Sequence, residues 1–300
     1  MKRAAVVGGT GFTGSYISSL LARKGFEVLA LTGHTSRKPP LAEVKLSPFN
    51  FDRPELLVES LQGCNLLFNT YWVRFELDQT TFAKAIENTR SLFGCAKRAG
   101  VKRIVHISIA NPSEDSPYPY YRGKAAVELE LSRLGVPFTI VRPALVFGKG
   151  DILINNIAWV LRHFRMFPIF GDFSLSPVFV EDLARLAVEC SEHAGNETLD
   201  CAGPESFSFR ELVETIRKKI GVRALLFGTT PALALRLSAP LGWLVHEPVV
   251  TRDEMGALLD NLLFIRASPL GTARLTSWLE SERESLGRAY ASEVARHFKN

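Results

Sequence analysis

The sequence lacks the cysteine and histidine spacings that mark metal sites and disulfide frameworks. Its four cysteines lie far apart with no CxxC pair, and its six histidines stand singly with no HxxH or HExxH pair. Structural zinc sites, metal hydrolases and small disulfide-rich domains need such spacings. We therefore expect no metal site, no disulfide framework and a reducing, cytoplasmic location.

The chain also lacks an uninterrupted apolar run that could cross a bilayer. Its basic N-terminus leads into an apolar stretch that two glycines break at once, and no signal-peptide core or cleavage site follows. The most apolar later stretch, residues 222–250, is broken by arginines and prolines, whereas a span needs roughly 20 clean residues. We expect buried helices there, with association to a membrane surface as the alternative.

Charge is distributed unevenly along a chain of otherwise ordinary globular composition. The 300 residues are 46% hydrophobic and 22% charged with a net charge of +5, which excludes disordered and fibrous classes. Residues 1–150 carry a net charge of +8 and residues 151–300 carry −3. No nucleic-acid-binding motif accompanies this excess, so a small polyphosphate ligand in the first half explains it better than a nucleic acid.

Short β-branched runs alternate with longer amphipathic segments up to about residue 145. This is the pattern of βαβ units around a parallel sheet. The predicted strands are residues 3–7, 27–31, 43–46, 65–69, 103–108 and 138–142, and the predicted helices are 12–24, 54–62, 78–99 and 120–134. Each helix is followed by a glycine that can adopt the left-handed conformation: Gly25, Gly63, Gly100 and Gly135. We predict an α/β, Rossmann-type doubly wound parallel sheet.

The pattern changes after Gly148 to helical segments broken by proline and glycine. We predict a dinucleotide-binding domain over residues 1–150, to which residues 177–202 return through strands at 177–184 and 197–201. Residues 151–176 and 203–300 should form a smaller, mainly helical lobe for a substrate or partner. Its clearest predicted helices are 253–263 and 284–297.

A glycine-rich motif, GGTGFTG, directly follows the first predicted strand and opens the first predicted helix. Its glycines, Gly8, Gly11 and Gly14, permit a tight turn and close approach of the backbone to a pyrophosphate, which the helix N-terminus attracts. Strand, glycines and helix in this order predict a dinucleotide site.

The end of the second predicted strand bears on which dinucleotide is bound. An acid about 20 residues after the glycine motif would bind the ribose hydroxyls of NAD, but no acid lies between Glu27 and Glu43. Hydroxyl, imidazole and cationic side chains follow instead and suit a 2′-phosphate: Thr32, His34, Arg37 and Lys38. These residues favour NADP(H) over NAD(H), and NAD stays open because the two cations also suit an ordinary charged loop.

Three residues suited to proton transfer follow the fifth predicted strand. Ser108 ends that strand, and Tyr120 and Lys124 are spaced i, i+4 on one face of the next helix. A lysine ammonium lowers the pKa of a nearby phenol, and a serine hydroxyl can hold a substrate oxygen. We predict these three as the catalytic residues, because the alternative phenol, Tyr121, has no lysine four positions later.

These motifs resemble the extended form of the short-chain dehydrogenase/reductase superfamily, which includes NAD(P)-dependent epimerases and dehydratases. The resemblance covers about the first 200 residues and includes VRPALVFG at 141–148 and VFVEDLA at 178–184. Within it, the chain is similar to the atypical branch related to the dehydrogenase-like accessory subunit of respiratory complex I. The segments behind this are NTYWVR at 69–74, HISIANP at 106–112, INNIAW at 154–159 and YASEVARH at 290–297.

The resemblance implies roles for further residues. The cofactor diphosphate would contact Gly8, Thr10, Gly11, Phe12, Thr13 and Gly14; the ribose would lie near Asn69, Thr70 and Lys124; and the nicotinamide would border Pro143 and Ala144. Many NADP-binding relatives place an arginine directly after the second strand's threonine, where this chain has Gly33.

Two functions follow as hypotheses. The first is an NADP(H)-favouring oxidoreductase or epimerase that acts on a hydroxyl or carbonyl of a small molecule. The second is a non-catalytic NAD(P)H-binding protein with an accessory, redox-sensing or assembly role. The second half carries no motif that identifies a substrate, although Arg74, Asn155, Asn156, Trp159 and Arg162 are polar or aromatic candidates for a pocket.

Overall fold

A computed structural model describes residues 2–297 of the chain. The described residues divide into two compact units: the first contains residues 2–143 and Val180–Asp200, and the second contains Ala144–Phe179 and residues 201–297. Residues 144–150, which the sequence assigned to the first domain, lie in the second unit. The physical reason is that a strand in this segment pairs with a strand near residue 178. Within residues 2–297, no helix combines the length and apolar character that crossing a membrane requires.

The first unit is built on a seven-stranded sheet, with elements numbered along the whole chain. Its strands are β1 (Arg3–Val7), β2 (Glu27–Thr32), β3 (Lys45–Pro48), β4 (Leu66–Asn69), β5 (Arg103–Ile107), β6 (Phe138–Pro143) and β11 (Glu197–Cys201). Their order is β11-β6-β5-β4-β1-β2-β3. Every neighbouring pair from β6 to β3 in this order is parallel. This confirms the predicted Rossmann-type sheet.

The helices of the first unit are α1 (Phe12–Arg23), α2 (Pro54–Leu61), α3 (Phe82–Arg98), α4 (Pro119–Arg133) and α6 (Val180–Cys190). β1 and β4 are neighbours although a full βαβ unit separates them in sequence, so the chain reverses its winding direction between them. Ligands of open α/β sheets bind outside the carboxyl ends of the strands at such a switch point. The strands β1 and β5 are almost wholly buried, as expected of strands covered on both faces.

The second unit contains three two-stranded sheets and six helices among the described residues. Its strands are β7 (Leu145–Phe147), β8 (Met166–Ile169), β9 (Ser174–Leu175), β10 (Pro177–Phe179), β12 (Phe207–Ser208) and β13 (Leu225–Gly228). Its helices are α5 (Leu153–Phe164), α7 (Phe209–Lys219), α8 (Pro231–Val245), α9 (Arg252–Leu259), α10 (Leu275–Ser281) and α11 (Glu293–His297). Aromatic and aliphatic side chains from α5, α7, α10 and the short strands form its core.

Several predicted elements of the second half differ from those observed. The predicted strand at 177–184 does not join the large sheet: β10 pairs with β7, and the chain returns to the first unit through α6 and β11. The predicted helix at 284–297 is reduced to α11. Gly287 interrupts it, because φ is +69° there and a Cβ would lie 2.5 Å from the carbonyl carbon of Ala158. The predicted helix at 253–263 ends at Leu259, before the left-handed Asn261.

Candidate functional site

The glycine-rich turn lies at the switch point between β1 and β4. Gly8 has φ +76°, and a Cβ on it would stand 2.7 Å from the Thr70 hydroxyl at the end of β4. A Cβ on Gly14 would stand 2.1 Å from the Gly8 carbonyl oxygen, so α1 approaches the turn as closely as backbone allows. Side chains at these positions would fill a cradle that the backbone leaves open, which fits the pyrophosphate of a dinucleotide.

The N-terminus of α1 has neither a side-chain cap nor an acidic residue to balance it. Its N-cap is Gly11, no side chain caps the first turn, and that turn contains no acidic residue. Amide groups at a helix N-terminus and the helix dipole both favour an anion. Phe12 and Thr13 lie in this first turn, and their predicted contacts with a diphosphate stay predictions.

The loop after β2 contains the residues predicted to select NADP(H). The Thr32 hydroxyl lies 2.7 Å from the Thr10 hydroxyl and accepts a hydrogen bond from the His34 amide, 3.1 Å away. Thr32 therefore links this loop to the glycine-rich turn. Arg37 is half-buried and Lys38 is exposed. Neither Glu27 nor Glu43 lies at the carboxyl end of β2, since Glu27 begins that strand.

Three aromatic rings border this loop and were missed by the sequence reasoning. Phe49 and Phe51 stack with ring centroids 4.8 Å apart, and Tyr71 lies 5.3 Å and 4.9 Å from them. A Cβ on Gly33 would be in van der Waals contact with the Phe49 ring, at 3.4 Å. An apolar aromatic surface beside a phosphate-binding turn suits a purine face. The signal available in the sequence was the run PFNF after the third strand.

Asn69 and Thr70 are held by protein contacts at the end of β4. The Asn69 amide nitrogen lies 3.1 Å from His106 Nδ1, and its oxygen accepts from the Tyr71 amide. The Thr70 hydroxyl donates to the Val7 carbonyl at 2.8 Å. Both side chains thus fix the backbone where β1 and β4 end, and their predicted contacts with a ribose stay predictions.

His106 is a fully buried histidine beside this network. Its Nδ1 pairs with Asn69, while its Nε2 has no hydrogen-bond partner in the described part of the chain. Burial, together with the nearby charge of Lys124, lowers the pKa of His106 well below its usual range. The ring is therefore neutral at pH 7, and Nδ1 accepting from the amide places its proton on Nε2.

Lys124 reaches the carboxyl end of β5, where Ser108 lies, and Tyr120 lies on the same helix as Lys124. The Lys124 ammonium nitrogen donates to the Ile107 carbonyl at 3.1 Å, immediately before Ser108. The Ser108 hydroxyl is buried and has no partner among residues 2–297. Tyr120 precedes Lys124 by one turn of α4 and is half-buried. A buried hydroxyl without a protein partner is costly unless a ligand satisfies it, which fits a substrate oxygen.

Trp72 is a further residue of this site that the sequence reasoning quoted but gave no role. Its ring lies 6.0 Å from the Tyr120 ring, edge to face, and 4.7 Å from the Lys124 ammonium nitrogen. A Cβ on Gly123 would stand 3.0 Å from this ring, so glycine is what lets the indole lie against α4. The buried indole nitrogen has no hydrogen-bond partner within the described residues. The Trp72 ring therefore forms one side of the space next to Tyr120 and Lys124.

Lys124 is the most perturbed cation of the site. It is 3% exposed, and burial lowers its pKa from 10.5 to about 7, against the opposing effect of Glu128 one turn later. Glu128 is itself held by Arg142 on β6 through contacts of 3.0 and 3.1 Å from Nε. The Arg142 guanidinium neutralises Glu128. An anionic ligand next to Lys124 would therefore raise the pKa of the lysine and favour its charged form.

The low pKa of Lys124 predicts how stability depends on pH. The unfolded chain keeps the proton to about pH 10.5, whereas the folded chain releases it near pH 7. Between these values the unfolded state binds more protons, so this residue's contribution to the free energy of unfolding rises with pH. Between pH 7 and pH 9, the free energy of unfolding of the native protein should rise on the order of 1–2 kcal/mol more than that of Lys124→Met. Urea denaturation at both pH values measures this difference.

The exposed Lys102 provides the control for this measurement. Lys102→Met should leave the pH dependence of unfolding as it is in the native protein. A stability difference between the native protein and Lys124→Met that does not change with pH would mean that the folded lysine keeps its ordinary pKa.

The polar residues suggested as pocket candidates in the second half pack the chain instead. Asn155 and Asn156 donate to the carbonyls of Ala289 and Ala291 at 2.9 and 3.0 Å. Arg162 donates to the Leu286 carbonyl at 2.9 Å, and Trp159 packs edge to face on Tyr290. These side chains anchor the segment around residues 283–291 to α5. In the first unit, Pro143 accepts from the Ala110 amide at 2.8 Å, and Ala144 begins the second unit.

One group of potential metal ligands occurs among the described residues: Cys190, His193 and Glu197. His193 Nδ1 lies 2.5 Å from a Glu197 oxygen, and the Arg103 guanidinium lies 3.7 Å from the same carboxylate. Burial raises the pKa of the Cys190 thiol to about 11. A protonated thiol and an adjacent guanidinium both oppose binding of a divalent cation. We therefore assign no metal ion to this group.

Comparisons with known proteins bear on the cofactor-binding half and on the fold. A protein-family model described as NAD(P)H-binding matches residues 8–151. The chain is 25% identical to subunit 9 of the NADH dehydrogenase [ubiquinone] 1 alpha subcomplex from Arabidopsis thaliana, over 81% of this chain and 64% of that protein. The chain therefore spans less than two thirds of that relative.

Two further similarities extend over most of the chain. It is 24% identical to a decarboxylating sterol-4-alpha-carboxylate 3-dehydrogenase from Dictyostelium discoideum, over 81% of this chain and 85% of that protein. A nucleoside-diphosphate-sugar epimerase structure from Staphylococcus aureus matches with a TM-score of 0.74 and 17% identity, covering 93% of this chain and 100% of the other. The structural match supports the fold alone.

Proposed function

Given that this chain has the NAD(P)-binding, epimerase/dehydratase-like short-chain dehydrogenase/reductase fold, we propose that it is an NADP(H)-favouring oxidoreductase or epimerase. Its substrate would be a small molecule with a secondary hydroxyl or a carbonyl group. The observation that carries the proposal is the buried, unpartnered Ser108 hydroxyl next to the residue that anchors Lys124. Packing alone gives no reason to bury such a hydroxyl at a sheet edge.

The residues of the first unit fit a dinucleotide. The open cradle at Gly8 and Gly14 and the uncapped N-terminus of α1 suit its pyrophosphate. The aromatic group of Phe49, Phe51 and Tyr71 suits its purine. When bound, a nicotinamide cofactor supplies the hydride donor or acceptor.

The proposed chemistry assigns one task to each catalytic side chain. Ser108 donates its hydroxyl hydrogen to the substrate oxygen and fixes its position. Tyr120 takes the proton from a substrate hydroxyl during oxidation and returns it to the oxygen during reduction. Lys124 in its charged form stabilises the tyrosine phenolate, and the half-buried Trp72 ring shields the pair from water.

A panel assay tests this proposal. The purified protein would be incubated with each nicotinamide cofactor and with nucleotide sugars, aldehydes, ketones and secondary alcohols, following nicotinamide absorbance and product stereochemistry by chromatography. Turnover of any class supports the proposal and identifies the substrate group. Tight cofactor binding with no turnover across the panel would favour the second candidate.

The second candidate is an NAD(P)H-binding protein that does not turn over a substrate and serves as an accessory, redox-sensing or assembly subunit. The similarity to a named subunit of an NADH dehydrogenase supports it. So does the indole of Trp72, which already packs on Lys124 and Tyr120. Either candidate suits a reducing, cytoplasmic location, since the cysteines are buried free thiols.

The preference for NADP(H) rests on Arg37 and Lys38, which follow β2. Arg37→Ala/Lys38→Ala should weaken NADPH binding by about 10- to 100-fold, because charge-assisted hydrogen bonds to a phosphate contribute roughly 1.5–3 kcal/mol. NADH, which lacks the 2′-phosphate, should bind as before. Fluorescence titration of the protein with both nucleotides measures the two dissociation constants.

A matched charge removal elsewhere in the first unit provides the control. Arg23→Ala/Lys24→Ala at the end of α1 removes the same net charge and should leave both constants unchanged. Equal losses for NADPH and NADH in the Arg37→Ala/Lys38→Ala protein would show that the two cations act through general charge. If the native protein bound NADPH and NADH with equal dissociation constants, NAD(H) would become the proposed cofactor.

A further inference from the structure

Helix α8 exposes the apolar residues that the sequence reasoning placed in a buried helix. Of its 15 residues only Ala234 is buried. Trp243 is 82% exposed and Leu244 57%, while Leu237 and Leu233 are 48% and 47% exposed. Single exposed apolar residues are ordinary, but several on one element of a soluble unit indicate an interaction surface.

The exposed residues of α8 form one continuous face. Leu233, Leu237, Pro240 and Leu244 recur at intervals of four, three and four residues, so they line one side of a helix with 3.6 residues per turn. Trp243 and Arg236 lie beside this line. The half-buried and buried residues, which include Ala234, Leu241 and Val245, lie on the opposite side. We call the exposed side the α8 face.

The sequence around the α8 face is entirely free of acids. Residues 215–246 contain five lysines and arginines and no aspartate or glutamate. Three of these cations, Arg217, Lys218 and Arg223, line an open cleft of about 570 Å³. Leu225, which is 63% exposed, borders the same cleft. Lys219 is paired with Glu280, and the other four cations have no ion pair among the described residues. Apolar side chains in the same segment as such cations are complementary to a surface with an acyl interior and anionic headgroups.

We propose that the α8 face binds the surface of an anionic phospholipid membrane. The leucines and Trp243 would enter the boundary between headgroups and acyl chains, and Arg217, Lys218, Arg223 and Arg236 would contact lipid phosphates, whereas Lys219 is already paired with Glu280. A helix of 15 residues is about 22 Å long, and it carries Arg236 and Pro240, so it lies in the interface rather than across it. A tryptophan at the edge of an apolar face is typical of interfacial helices.

Vesicle flotation with the full chain tests this surface. The protein should float with phosphatidylcholine vesicles that contain about a third phosphatidylglycerol and stay behind with vesicles of phosphatidylcholine alone. Leu237→Ser should lower the partition coefficient by about tenfold, because the buried apolar area is lost. Arg236→Glu should lower it by at least as much, because an attraction becomes a repulsion.

Matched substitutions in the first unit separate this surface from general effects. Leu56 on α2 is 41% exposed, and Leu56→Ser should leave flotation unchanged, as should Arg133→Glu at the end of α4. Trp243→Phe should abolish the blue shift of tryptophan emission on vesicle addition, since the other three tryptophans are half-buried. No flotation with anionic vesicles, or flotation that survives all α8 substitutions, overturns the proposal.

Self-association gives the remaining outcome. If the native chain dimerises in light scattering and Leu237→Ser makes it monomeric without affecting flotation, the α8 face belongs to a second copy and the membrane proposal is wrong. These measurements use no nicotinamide cofactor or substrate. Their failure therefore leaves the proposed oxidoreductase or epimerase function untouched, and failure of that function leaves the membrane surface untouched.

Discussion

Tyr120→Phe is expected to reduce turnover by about 10²- to 10⁴-fold, the usual contribution of a positioned general acid or base. The substitution removes one hydroxyl and keeps the ring that packs edge to face on Trp72 and Phe82. Cofactor binding should not change, because the proposed pyrophosphate and purine contacts lie on other elements. Turnover under saturating cofactor and a fluorescence titration with NADPH measure the two quantities separately.

Tyr121→Phe is the matched control for this prediction. The two tyrosines are adjacent on α4 and their ring centroids lie 5.5 Å apart, but only Tyr120 has a lysine four positions later. Tyr121→Phe should therefore retain turnover. Full activity in Tyr120→Phe would overturn the role given to that phenol, and equal losses in both variants would indicate a packing effect of the aromatic cluster.

The cofactor-binding half of the fold could be predicted from local pattern. The inner strands β1, β2, β4, β5 and β6 are short, mostly apolar runs that both sheet faces bury, so periodicity and β-branching identify them. The four glycines predicted to close helices all adopt positive φ, from +75° to +81°. The bounds of β3 shift by two residues: the predicted strand 43–46 is observed as Lys45–Pro48 because β2 pairs with it in that register. The predicted helix 78–99 begins four residues later than expected, at Phe82.

The second unit could not be predicted as well, because its helices depend on tertiary contacts. The pattern at 284–297 suits a helix, yet Gly287 must lie against the backbone of α5. The apolar character of α8 predicted burial, although neither composition nor periodicity shows which side of a helix the rest of the chain covers. An all-apolar helix is compatible with a core and with an interface alike.

The candidate site shows the same division between local and tertiary information. The i, i+4 spacing of Tyr120 and Lys124 on one helix was visible in sequence, and the structure places both on α4. Trp72 lies 48 residues before Tyr120, and only the parallel neighbours β4 and β5 bring its loop next to α4. Likewise, Phe49 and Tyr71 meet because β3 and β4 end at the same edge of the sheet.

Gly14→Ala is expected to weaken NADPH and NADH binding alike by about 100-fold or more. The new methyl group would stand 2.1 Å from the Gly8 carbonyl oxygen and 2.8 Å from the Thr70 hydroxyl, so α1 and the turn must move apart. A displacement on the order of 1 Å in a preorganised site costs about that factor. The same overlap should lower the free energy of unfolding by about 1–3 kcal/mol, measured by denaturant titration.

Gly94→Ala, in the interior of α3, distinguishes this steric effect from the general consequences of replacing a glycine in a helix. A Cβ at Gly94 meets no atom within 4 Å, so alanine should stabilise the fold by about 0.4–1 kcal/mol and leave nucleotide binding unchanged. The two variants add the same methyl group to helices of the same unit, and only one adds it where α1 touches the turn. If Gly14→Ala bound NADPH as the native protein does, the cradle at the β1 and β4 switch point would not be the pyrophosphate site. The roles proposed for Arg37, Lys38 and Tyr120 assume that the cofactor binds there. Those roles would then lose their shared basis.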